Sequence, residues 1–204
     1  MIDLSQTSLW VSLASITFNP LFWNIAARQE YHTHWITRLI GDKRKGCYTL
    51  AATIFSLGLI RDTLFKRAMM DQPSWALLAH PTVQLISFVL FALGMLLVVS
   101  STYILGITGT FLGDYFGILM DSRVTGFPFN VVENPMYVGS TLSFLGSSLW
   151  YGRPAGILVT AYVWLIYSIA LQYEGPFTTM IYSKRASNNK EQNEQPLKQR
   201  KKKL

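Results

Sequence analysis

Residues 83–105 form a run of 23 without a single charge, and residues 154–173 form a second run of 20 between Arg153 and Glu174. As α-helices rising about 1.5 Å per residue, the two reach roughly 34 and 30 Å, enough for a hydrocarbon core of about 30 Å. Lipid offers no partner to bare backbone, so a chain built around such runs must cross as closed helices. The fold class that follows is all-α: an integral membrane helical bundle of four to five helices.

Three further apolar segments decide the helix count. Residues 46–60 are uncharged between Lys45 and Arg61, and these 15 residues span only if the flanking cations snorkel to the interface. Residues 4–27 are uncharged too, but Asn19, Pro20 and Asn24 lie inside them. A re-entrant or kinked helix is expected there, with Trp10 and Trp23 as interface-seeking aromatics. Residues 134–152 combine glycines with five Ser or Thr and no charge. Small residues let helices approach closely in lipid, so this segment fits a protein-buried helix, and its crossing is left open.

The net charge of +7 is concentrated at the C-terminus, where eight Lys or Arg from Lys184 onward meet only Glu191 and Glu194. The expected division is a membrane-embedded domain, 1–183, and a basic disordered cytosolic tail, 184–204. A cationic juxtamembrane segment favours the cytosolic side and its anionic lipids, and accounts for this charge without nucleic acid. Its last residues, Lys201 to Leu204, resemble a dilysine retrieval signal. If 134–152 crosses, the Lys43-Arg44-Lys45 cluster and the 106–133 loop share the side of the tail, which the positive-inside rule favours.

The first residues lack the basic region of a cleavable secretory signal, so the N-terminus is expected to be retained. Cys47 stands alone, which excludes an internal disulfide and fits a small buried residue. One Cys and three His cannot furnish a zinc set, so no metal is expected. His32 and His34 read as interface residues.

Chemistry is expected between the two surest spans. Glycines at 106, 109, 113 and 117 break a polar run, and a second irregular stretch, 126–139, follows. Irregular backbone joined to membrane helices is tolerated where it lines a cavity or lies among headgroups. Asn134 is a favoured N-cap and Pro135 a favoured first helical residue; the free N–H groups of such a start suit a carboxylate or a phosphate. Asp114 is the only acidic residue between Asp71 and Asp121 and lies among glycines and aromatics, where a base or ligand role competes with turn formation. Glu174 is followed at once by Gly175 and Pro176, so it is expected at the closing end of the last span, where a carboxylate opposes the helix dipole and implies a task. Phe111, Tyr115, Phe116, Phe127, Phe129 and Tyr137 suit a cationic ammonium or sulfonium, or simply the interface.

Several long words occur in a fixed order: 17–24, 109–119, 123–130, Asn134-Pro-Met-Tyr137 and 173–178. Through them, from about Thr17 to Tyr182, the chain resembles the phospholipid N-methyltransferases that finish phosphatidylcholine synthesis, most closely the fungal type. The resemblance implies S-adenosylmethionine as methyl donor and mono- and dimethylated phosphatidylethanolamine as acceptors. It also implies the endoplasmic reticulum membrane, with a mitochondrial membrane as a second location. The family ascribes cofactor binding to a Gly-x-Gly in the third apolar segment and a Glu-Glu pair after the last. Here those positions read Ala92-Leu93-Gly94 and Glu174-Gly175, so each motif is half kept.

The residues expected at the site are therefore Glu174 and Asp114 as catalytic candidates. Toward the cofactor they are Ala92, Leu93, Gly94, Gly106, Gly109, Asn134, Pro135, Tyr137, Glu174 and Gly175. Gly94 lies roughly 18 Å along the helix from Gly106 and reads more readily as a close-packing residue than as a ligand. Gly175 cannot supply a second carboxylate, so the role of the pair rests on Glu174, with Asp114 or Glu133 as substitutes. An alkylamine titrates near 10, so freeing its lone pair at neutral pH costs about 4 kcal/mol, which calls for desolvation or a base. Two rival readings remain. A methyltransferase capping prenylated cysteine carboxylates normally has His where Asn134 stands, and a non-catalytic scaffold or transporter gives no reason to collect Gly, Asp and Asn at one interface.

Overall fold

Long apolar runs with few breakers become long helices. The computed structural model describes residues 2–122 and 124–201, with side chains through residue 187. It contains α1 (Thr7–Thr33), α2 (Trp35–Ile40), α3 (Lys43–Asp71), α4 (Pro81–Thr110), α5 (Pro135–Trp150) and α6 (Pro154–Lys201), with 3-10 turns at Ala76–Ala79 and Gly113–Phe116. No strand occurs among the described residues. Pro81–Phe116 and Pro154–Ser187 are each long and apolar enough to cross a membrane.

Cross-helix contacts fix the directions. Thr17 meets Tyr162 and Asn24 meets Glu174, so α1 and α6 run parallel. Arg61 bonds Tyr167 while Gly156 lies against Met69, which makes α3 antiparallel to α6. At one end of the bundle the Gln72 amide exchanges two hydrogen bonds with the Asp3 backbone, at 2.9 and 2.8 Å. At the other, Met120 N–H donates to the Tyr182 hydroxyl at 3.2 Å, and the Cys47 thiol to the Phe111 carbonyl at 3.7 Å. The Lys43-Arg44-Lys45 cluster, the irregular segment after α4 and the later part of α6 thus share one end, the arrangement expected if α5 crosses.

The outer surface of this bundle is apolar: Leu85, Phe88, Leu96 and Tyr103 on α4 are exposed, as are Phe55 and Leu59 on α3 and Trp10 and Phe18 on α1. Surfaces this continuous would drive aggregation in water and are at home in lipid. There, apolar area no longer pulls helices together, and close approach must do so. Gly94 and Gly139 supply it: a Cβ on Gly94 would lie 2.5 Å from the Gly139 carbonyl oxygen, and one on Gly139 would lie 2.6 Å from that of Gly94. Gly146 meets Ser87 and Phe91 in the same way one stretch further on, so α5 lies antiparallel along α4 with the backbones nearly touching.

Three expectations change. Residues 4–27 are neither re-entrant nor interrupted: α1 runs through Pro20, whose missing N–H is tolerated in a bundled membrane helix. Gly175-Pro176 does not end α6, which continues to Lys201. Gly175 has no Cβ to clash with the proline ring, which relaxes the usual bar to helix before proline. The residues after Lys184, expected as a disordered tail, prolong that helix; Lys, Glu and Gln are good helix formers once a helix is nucleated. Residues 202–204 of the retrieval-like end lie outside the described residues. α4 breaks at Gly106 (φ 64°, ψ −179°), where the glycine-broken run was expected to begin, in a backbone state open essentially to glycine alone, and resumes for one turn to Thr110.

Candidate active site

Because α6 does not stop at Gly175, Glu174 sits inside a helix with neighbours on several sides. The Trp23 indole N–H donates to its Oε1 at 2.6 Å and the Asn24 amide to the same oxygen at 2.8 Å. The Tyr137 hydroxyl donates to Oε2 at 2.6 Å. Three donors from α1 and α5 thus converge on one carboxylate of α6. Hydrogen bonds to a charged acceptor are roughly twice as strong as neutral ones, so this array holds Glu174 in one orientation.

One turn further along α6, Thr178 donates to Asp114 Oδ2 at 3.1 Å. The 3-10 turn carrying Asp114 also buries Tyr115, which is 1% exposed and stacks on Phe177 at 5.0 Å. Arg28 of α1 covers the Phe177 ring at 4.7 Å and donates to the Tyr173 carbonyl at 2.7 Å. Four polar atoms in this neighbourhood are buried without a protein partner: Asn24 Oδ1, Arg28 Nε, Thr110 Oγ1 and the Tyr115 hydroxyl. Buried polar groups are rarely left so.

On its other side Tyr137 borders a cleft of about 300 Å³ between α5 and α6, lined among others by Glu133, Asn134, Trp164, Tyr167 and Leu171. Tyr137 and Tyr167 meet edge to face at 4.9 Å, and Tyr167 accepts a 2.6 Å hydrogen bond from Arg61. The stretch just before α5 lines this cleft, and Tyr137 stands between the cleft and Glu174, which does not itself line it.

The expected residues separate into groups. Glu174 and Tyr137 touch, and Asp114 joins them through Thr178. Asn134 precedes α5 and Pro135 begins it, but the Asn134 side chain makes no capping hydrogen bond; its backbone (φ −125°, ψ 68°) does not present it to the helix end. Gly106 and Gly175 have open space where a side chain would be, whereas Gly109 packs against Leu105 and Met120. Ala92 and Leu93 face outward, and the space over Gly94 is filled by α5, so this half-kept motif acts in packing. Of the aromatics, Tyr115 and Phe116 are core residues and Phe127 is exposed. Glu133 is exposed at the mouth of the cleft.

Trp23, Asn24, Arg28 and Thr178 were not expected at the site. A signal existed: an Asn within an uncharged membrane helix needs a partner, and here that partner is Glu174. Glu30, fully buried, was also overlooked as a structural carboxylate. It accepts the Ile36 N–H at 2.7 Å, together with the Thr37 hydroxyl, and so caps α2.

A helical membrane bundle with an oriented carboxylate, a second carboxylate beside it and an aromatic cleft open at its apolar flank defines an enzyme that works on a bilayer component. Comparison makes the class specific: the chain belongs to the phospholipid methyltransferase family, whose match covers residues 83–185, from α4 through the site in α6. It is 60% identical over 185 residues to phosphatidyl-N-methylethanolamine N-methyltransferase of Neurospora crassa, covering 90% of this chain and 86% of that one. The Saccharomyces cerevisiae protein of the same name is 56% identical over 184 residues, 90% and 89% of the two chains. Human phosphatidylethanolamine N-methyltransferase is 45% identical over 188 residues, 92% and 94%. No solved structure matches.

Proposed function

We propose that this chain methylates the headgroup amine of phosphatidyl-N-methylethanolamine, and then of the dimethyl product, to give phosphatidylcholine, with S-adenosylmethionine as donor. The names of its relatives support the substrate, and their agreement across most of each chain leaves the carboxyl-capping and scaffold readings without support. The observation that carries the reading is Glu174, fixed by Trp23, Asn24 and Tyr137 within the segment that defines the family.

The residues fit a cationic methyl donor. Two carboxylates, Glu174 and Asp114, and the rings of Trp23, Tyr115 and Tyr137 favour positive charge, while the four unpartnered atoms await a polar ligand. When bound, S-adenosylmethionine supplies a methyl group made electrophilic by its sulfonium. Glu174, Tyr137 and the Asn134-Pro135 start of α5 would hold it, with room at Gly106 and Gly175.

The two acids divide the work. Both oxygens of Glu174 already accept hydrogen bonds, which fixes the carboxylate in the orientation that steadies a cation. Asp114 Oδ1 has no side-chain donor among the described residues, which leaves it to take the proton that the lipid amine must lose. The fixed geometry contributes through alignment, which is worth up to about 7 to 11 kcal/mol in favourable cases.

We place the enzyme in the endoplasmic reticulum membrane, with a mitochondrial membrane as a further location, and the end carrying the Lys43 cluster and the later part of α6 in the cytosol. A reporter fused after Asp121 is expected to be accessible from the cytosol; lumenal glycosylation there would reverse the assignment. The activity is tested by labelled methyl transfer into lipid by membranes containing the protein, with Glu174→Gln as the inactive comparison. Undiminished transfer by that variant removes Glu174 from the site.

A further inference from the structure

The cleft between α5 and α6 has two unlike ends. Glu133, Asn134 and the Tyr137 hydroxyl lie at the start of α5, near the oriented carboxylate, whereas Leu171 and Trp164 carry it along α6 toward the apolar middle of the bundle. Trp164 is 53% exposed, and its neighbours Leu158, Leu165 and Ile169 are exposed apolar residues, so the mouth opens on the flank that faces lipid. A polar pole beside the reacting groups and an apolar trough open sideways match one kind of occupant, an amphiphile whose chain lies in hydrocarbon.

Resting on the function proposed above, we infer that this cleft is the acceptor-lipid subsite: a glycerophospholipid enters sideways between α5 and α6, lays an acyl chain along Leu171 and Trp164, and brings its amine to Tyr137. Two features set the walls. Arg61 donates to the Tyr167 hydroxyl and lies over Phe144 at 5.0 Å, which holds the Tyr167 ring edge-on to Tyr137. Ser168 is turned back onto the Trp164 carbonyl at 2.8 Å, so its hydroxyl is satisfied within the helix and the trough remains apolar.

The test fills the trough without touching Glu174 or Asp114. Leu171→Trp narrows it from α6 and Val138→Phe from α5; Ile169→Trp adds the same bulk on the outer face as a control. Methyl transfer by full-length protein in membranes is measured with phosphatidyl-N-methylethanolamine carrying long chains and with its dihexanoyl analogue. The expected result is a rise of about tenfold in KM for the long-chain acceptor in both cleft variants. KM for the dihexanoyl acceptor, KM for S-adenosylmethionine and kcat should stay within about twofold, and Ile169→Trp should match the wild type. Equal losses on both acceptors, or no change in either cleft variant, would overturn the subsite. Failure of the wild type to transfer methyl groups to any acceptor would instead overturn the function on which it rests.

Discussion

The seam between α4 and α5 and the cluster around Glu174 meet at opposite faces of one helix, and they hold together by opposite means. At Gly94, Gly139 and Gly146 nothing polar is exchanged between side chains; two backbones approach until a single added Cβ would collide with a carbonyl. Around Glu174 the helices stand far enough apart to admit indole, amide and phenol, and hydrogen bonds to a carboxylate join them. The lesson lies in their order. The seam sets the register of α5, and that register delivers Tyr137, two residues before Gly139, to Glu174. Packing without chemistry thus positions chemistry that packs loosely.

The sharpest way to break this contrast is Glu174→Gln, which keeps the shape and removes the charge. Labelled methyl transfer should fall by about 100-fold or more, the usual scale for losing a preorganised electrostatic group, while the protein stays in the membrane. Gly94→Leu attacks the other side. Overpacking costs about 1 to 3 kcal/mol or more, so thermal denaturation in detergent should occur earlier and activity should fall in step with folded protein. A loss of activity without a loss of stability would mean that Gly94 contacts a ligand after all.

Tyr137→Phe tests the bridge between the two regions, since it removes one hydrogen bond to a charged group, worth about 1.5 to 3 kcal/mol, and leaves the ring. Transfer should fall about tenfold or more, and the loss of stability should not exceed the value of that one hydrogen bond. Tyr137→Leu should in addition weaken the last methylation more than the preceding one, because its product is a fixed cation beside that ring. Equal effects on both acceptors would count against an aromatic role. The smallest effect is expected from Ala92→Gly, which restores Gly-x-Gly on the outer face of α4: rates should stay within about twofold, and a marked gain would draw that face back into the site.

Much of this was legible in the sequence. The uncharged runs dictated α4 and α6, because hydrocarbon leaves backbone no other partner than itself. The start of α5 was marked by Asn134 and Pro135, and Glu174, Tyr137 and Asp114 were singled out before any geometry; the structure joins the first two by a hydrogen bond and brings Asp114 to Thr178, one turn along from Glu174. The continuation of α6 through Gly175-Pro176 was not legible, since two breakers in succession ordinarily end a helix and only the missing Cβ lets this one proceed. Nor were Trp23, Asn24 and Arg28, whose roles depend on a helix about 150 residues away in the chain.

By itself the sequence determined that this protein lives in a membrane, where its two long apolar spans and the start of α5 lie, and which acidic residues stand among apolar ones. The tertiary structure alone decided that Glu174 faces three donors, that Gly94 is filled by a neighbouring backbone, and that Tyr137 separates a carboxylate from a cleft. Spans follow from the solvation of each residue where it stands, which is local information. Partners follow from register between helices distant in sequence, and that is set only when backbones approach closely enough for glycine to matter.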